Sequence, residues 1–106
     1  MKPPAKVKVG HKWFRIVRDL DLAGAAGAVG VCGPDTQEVR YDGRLGAGTE
    51  RETILHELLH GAWNMTTLDR IYDADMEENI LYSLSPLIVG LLRDNPPLVR
   101  YLLEKL

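Results

Sequence analysis

A chain of 106 residues, 45% of them hydrophobic and 26% charged, has the composition of one globular domain, residues 1–106, with room for one core and no second lobe of any size. A formal net charge of −2 leaves no positive field to gather phosphates, so nucleic acid is not an expected partner. The single cysteine, Cys32, excludes an internal disulfide, the N-terminal MKPPAKVKVG lacks the apolar segment of a secretion signal, and no run reaches the roughly 20 apolar residues of a membrane span.

These features predict a cytoplasmic protein that makes no membrane contact, with Cys32 a small buried hydrophobe. From Val7 to Asp19, Trp13, Phe14, Ile16 and Val17 stand among Lys and Arg, and the β-branched and aromatic content predicts a strand. Two short extended segments follow, Ala28 to Cys32 and Glu38 to Tyr41, joined by the turn residues Gly33, Pro34 and Asp35, which predicts a hairpin. The glycines around them lack the Lys-Ser or Lys-Thr and the following helix of a phosphate loop, so they read as turns and close backbone approaches.

Thr49 and Glu52 have the Thr-x-x-Glu spacing of a capping box, predicting a helix from about Glu50 to Asn64. After the polar break TTLDRIYDAD, the apolar residues Ile80, Leu81, Leu84, Leu87, Ile88 and Leu91 recur at helical spacing, with Pro86 expected to kink or restart the segment. NPP at 95–97 ends it, and Leu98 to Leu106 predicts a last short helix with Pro97 near its first turn. The fold class expected is α+β: a small, mainly antiparallel sheet of about three strands followed by three helices.

ILHELLH at 54–60 carries the chemistry. On a helix, His56 and His60 lie about 6 Å apart along the axis and only about 40° apart around it, so both imidazoles can converge on one ion. Glu57 lies about 100° further round, near enough to reach a water at that ion without occupying a ligand position, which is the general-base geometry of His-Glu-x-x-His. Ile54, Leu55, Leu58, Leu59, Ala62 and Trp63 cover a wide arc that needs burial, leaving the histidines and Glu57 as a strip facing a cleft.

A catalytic zinc takes three protein ligands and a water. The extended pattern with a third histidine is absent, since position 66 is Thr, and the remaining histidine, His11, reads as a surface residue. Acidic residues on the next helix remain. Glu77 falls in the middle of the arc marked by Ile80, Leu81 and Leu84, whereas Glu78 lies near its edge and has the spacing of a capping pair with Asp75. Glu77 is therefore the expected third ligand, with Glu78 the alternative. An acidic helix start favoured by the helix dipole accounts equally for Asp75, Glu77 and Glu78 as a group. Tyr41, Tyr72 and Tyr82 are candidate donors to a developing oxyanion, none singled out. Trp63 reads as a core anchor and Trp13 as its neighbour or a cover for the sheet.

ETILHELLHGAW followed by EENILYSLSPLIVGLLRDNP resembles the zincin metallopeptidases in the gluzincin arrangement, with a downstream Glu ligand. It is more particularly similar to short zincin-like proteins encoded by phages and prophages, and distantly to the ImmA/IrrE peptidases. The resemblance runs in outline from residue 28 to 97. It implies His56 and His60 as zinc ligands, Glu57 as general base, Glu77 as third ligand, and an edge strand that holds extended peptide or protein substrate by strand addition. The resemblance does not extend to the C-terminal lobe that walls the cleft in that family, so it implies neither a full substrate pocket nor a particular oxyanion stabiliser. The expected activity is zinc-dependent hydrolysis of peptide bonds. The competing readings are a zinc-binding regulatory or partner-binding protein that does not cut, and a metal-free helical interaction module.

Overall fold

The fold is seen in a computed structural model that describes residues 1–105, apart from the side chains of Ala25 and Ala26. It is α+β. Strands β1 (Lys6–Val9), β2 (Lys12–Asp19), β3 (Gly30–Gly33) and β4 (Glu38–Asp42) form one mixed sheet in the order β1-β2-β4-β3. Helix α1 (Leu22–Ala26) separates β2 from β3, and α2 (Ala47–Trp63), α3 (Leu68–Ile71), α4 (Ala74–Asp94) and α5 (Pro96–Leu102) follow the sheet.

The sheet has one strand more than expected. The segment from Val7 to Asp19 divides into β1 and β2 because Gly10 takes φ +60°, a left-handed conformation that favours glycine and lets the chain reverse. The expected hairpin is present as the antiparallel pair β3–β4. Its second strand lies parallel to β2, so two of the three pairings are antiparallel. The connection into that hairpin is held by Asp42, a buried carboxylate that accepts from the amides of Ala23 at 3.1 Å and Arg44 at 2.8 Å.

Phe14, Val39 and Tyr41 form the buried face of the sheet, and α2 packs against it near β3 and β4. One close approach is at Gly61, where a side chain would place its Cβ 2.9 Å from Cζ of Phe14. Phe14 is itself 1% exposed and has nowhere to retreat. Gly61→Ala gains about 1 kcal/mol of helix propensity but incurs an overpacking cost of about 1–3 kcal/mol. The expected result, read by urea denaturation, is a net loss of stability of up to about 2 kcal/mol.

Several helix expectations shift. The α2 helix starts at Ala47 with Gly46 as N-cap and no side-chain cap, so the Thr49–Glu52 box does not form. Its buried residues are Thr53, Glu57, Gly61 and Trp63, not the leucine arc, because β3 passes over this line without a side chain at Gly30. Pro86 sits inside a continuous α4. The carbonyl it leaves without an amide belongs to Tyr82, an exposed residue. Only Leu81 and Ser85 of α4 are buried. Leu84, Leu87 and Leu91, expected inside, are exposed because α2 lies against the Leu81–Ser85 side of α4. The last helix begins at Pro96 and ends at Leu102, and its expected end at Leu106 lies outside the described residues. Among the described residues, no helix is long and apolar enough to cross a membrane.

Candidate metal centre

His56 and His60 project from successive turns of α2 toward the first turns of α4, and their Nε2 atoms lie 3.1 Å apart. Glu78 meets both, with one carboxylate oxygen 3.0 Å from Nε2 of His56 and the other 2.8 Å from Nε2 of His60. His56, His60 and Glu78 thus form a group that could hold a metal ion, its ligand atoms all within 4.8 Å of one another.

Glu77, the expected third ligand, is placed elsewhere. Its carboxylate lies against Nδ1 of His60, on the far side of that ring from Glu78. Carboxylates only accept, and one faces each nitrogen of His60, Glu77 at Nδ1 and Glu78 at Nε2, so a cation at Nε2 would displace the proton there and leave Nδ1–H donating to Glu77. The sequence argument for Glu77 rested on an inward arc through Leu84 and on Glu78 being tied up in a cap with Asp75. In the fold the cap is Asp73, which accepts from the amide of Met76 at 2.8 Å, and Leu84 is exposed. Measured from the buried Leu81–Ser85 line, Glu77 stands about 60° to one side and Glu78 about 40° to the other, at about 100° per residue. Both carboxylates therefore reach α2, on opposite sides of His60.

Ser85 was not singled out from the sequence. Its hydroxyl donates to the carbonyl of Leu81 and lies 3.4 Å from Nδ1 of His56, placed to accept from that nitrogen. The signal was a small polar residue seven positions after Glu78, hence on the same helix face. Glu77 and Ser85 give each histidine an outer partner that orients its ring.

Glu57 is buried, with its Oε2 4.0 Å from Nε2 of His56, beside the group and not one of the three residues that form it. Burial raises its carboxyl above the ordinary range, opposed by His56 and His60 and assisted by Glu78. Burial lowers the His60 imidazole, but the carboxylates of Glu77, Glu57 and Glu78 outweigh it and the net shift is upward. A proton and a cation compete for Nε2. With the imidazole holding its proton to a higher pH than a free histidine, cation affinity is expected to fall as pH is lowered, beginning above the ordinary histidine range. Metal titrations at stepped pH would show this; an affinity flat through that range would contradict it.

The donor set fits zinc. For Zn–N near 2.0–2.1 Å, tetrahedral ligand atoms stand about 3.3 Å apart, close to the 2.8–3.1 Å separations among His56, His60 and Glu78. Two imidazoles with one carboxylate also leave the fourth position of a zinc site for water.

A cavity of about 430 Å³ opens beside the group, bounded by Ala28, Val29 and Gly30, by α2, and by Glu78, Tyr82, Ser85 and Pro86 of α4. Gly30 belongs to edge strand β3. A side chain there would put its Cβ 3.0 Å from Oε2 of Glu57 and 2.6 Å from Cγ2 of Thr53, so glycine lets strand and carboxylate lie in contact. Of the candidate tyrosines, Tyr82 borders the cavity, Tyr41 is buried in the core, and Tyr72 packs on Trp63 with ring centroids 6.1 Å apart. Trp63 is buried, whereas Trp13 is half exposed on the sheet beneath the Lys6 ammonium. His11 is exposed in the β1–β2 turn, remote from the group. Cys32 is half-buried, and burial first, then Glu57 and Glu77, pushes its thiol up to about 11, which leaves it unreactive at neutral pH. No family model, no curated protein and no solved structure matches this chain.

Proposed function

We propose that this protein is a zinc-dependent peptidase. The observation that carries the reading is the placement of buried Glu57 beside the His56–His60–Glu78 group, at one end of an open cavity. A purely structural metal site has no use for a third acidic side chain, beyond Glu77 and Glu78, that is buried beside the group and held by burial above the ordinary carboxyl range.

In this reading His56, His60 and Glu78 hold the ion, with Glu77 and Ser85 fixing the imidazoles. Zinc supplies Lewis acidity when bound, polarising a carbonyl and making water a stronger acid. Glu57 takes the proton of the attacking water and passes it to the amine that leaves when the peptide bond breaks. Edge strand β3 offers its free side to an extended peptide, whose backbone would pair with it beside Glu57. The single thiol fits a reducing, cytoplasmic setting.

Digestion of a random peptide library by the zinc-loaded protein tests the proposal. Cleavage that stops on chelation and returns with zinc is the expected result. Zinc binding without cleavage of any peptide would reject the enzyme and favour a regulatory metalloprotein.

A further inference from the structure

The cavity beside the metal group has more in it than hydrolysis requires. Ala28, Val29, Pro86 and the ring of Tyr82 give it largely apolar walls, and three carboxylates line it: Glu52, Glu57 and Glu78. Two of these face imidazoles, Glu57 at 4.0 Å and Glu78 at 3.0 Å from Nε2 of His56. Glu52 faces none. Among the described residues it makes no ion pair and no side-chain hydrogen bond, and no Lys or Arg lines the cavity. The nearest cation in sequence, Arg51, borders a different groove on another side of α2. Arg15 and Arg40 are engaged with Glu38, and Arg44 with Asp21.

An unpaired carboxylate in an apolar-walled cavity matches a side chain with an apolar stem and a cationic head. Glu52 precedes His56 by one helical turn, about 6 Å along the axis, a span that the flexible stem of lysine or the fork of arginine bridges. We propose that Glu52 makes this cavity a pocket for a lysine or arginine side chain, so that peptides with a basic residue beside the cut bond are preferred. The substrate part of this inference rests on the peptidase reading; the affinity of the pocket for a basic side chain does not.

Two measurements on the full chain, loaded with zinc, separate them. In the first, Nα-acetyl-lysine amide and Nα-acetyl-norleucine amide are titrated while the backbone amide resonances of residues 49–57 are followed. The lysine compound is expected to bind about tenfold more tightly, as a charge-assisted hydrogen bond allows, and Glu52→Gln is expected to erase the difference. Equal affinity of the wild type for the two compounds, which needs no variant, overturns the pocket, as does a difference that survives Glu52→Gln. In the second, kcat/KM is compared for matched lysine and norleucine peptides. Glu52→Gln is expected to lower the lysine-to-norleucine ratio about tenfold, and Glu52→Lys to turn the preference toward acidic residues. Cleavage without basic preference overturns the pocket and leaves the peptidase reading intact. Glu52-dependent lysine binding with no cleavage of any peptide does the reverse.

Discussion

Glu78→Ala is expected to weaken zinc binding by more than the roughly 10–100-fold that follows loss of an outer hydrogen-bond partner, whereas Glu77→Ala should stay within that range. The reason is where each carboxylate sits. Glu78 spans the Nε2 atoms of both histidines, at 3.0 and 2.8 Å, so in the proposed site its removal would take away one of three ligands. Glu77 touches only Nδ1 of His60, and its removal leaves the lone pair of Nε2 in place but the ring free to turn. Competition with a chromophoric chelator, with His60→Ala as reference for the loss of a ligand, ranks the two. If Glu77→Ala behaves like His60→Ala while Glu78→Ala binds zinc as the wild type does, the assignment is reversed. Glu78 is also the more solvent-exposed of the two side chains, 52% against 14%, so its replacement disturbs packing less and the comparison leans against the expected order.

Glu57→Gln should keep zinc and the fold while lowering turnover by about 10²–10⁴, the range a positioned acid–base group contributes. Gln preserves the shape of the side chain under Gly30 but cannot take a proton from water. The variant should also not be less stable than the wild type when both are metal-free. A carboxyl whose folded pKa is raised favours the unfolded chain once pH exceeds the unfolded value, so at neutral pH ionised Glu57 costs stability that Gln does not. Thermal melts of the metal-free proteins at pH 7, alongside zinc binding and turnover, check both halves. Undiminished cleavage by the variant would remove Glu57 from the chemistry. Lost zinc would make it a ligand.

The active helix was legible because its information is local. His56, Glu57 and His60 are related by the helix period, which depends on backbone hydrogen bonding alone, and a run without proline or an unfavourable β-branched stretch suffices to form it. The hairpin Gly30–Asp42 was legible for a similar reason, since Pro34 and Asp35 supply the turn between two extended segments. The second strand of the first hairpin was missed because one left-handed glycine, Gly10, carries the whole turn.

The pair Glu77 and Glu78 was a different kind of problem. Adjacent residues on a helix differ by about 100°, so the choice between them depends on where the neighbouring helix lies. Amphipathic periodicity located that neighbour through Ile80, Leu81 and Leu84, of which Leu81 is buried but Leu84 is exposed. Periodicity records which residues are apolar, not which are covered.

By itself, the sequence determined that one helix would present two imidazoles and a carboxylate from one strip, and that an acidic stretch would follow it. The tertiary structure alone decided that Glu78 closes the group, that Glu77 and Ser85 orient its rings, and that Glu52 lines a cavity without a partner. Those outcomes depend on how α4 crosses α2 and on a glycine strand lying over Glu57, relations between segments far apart in the chain that no local period encodes.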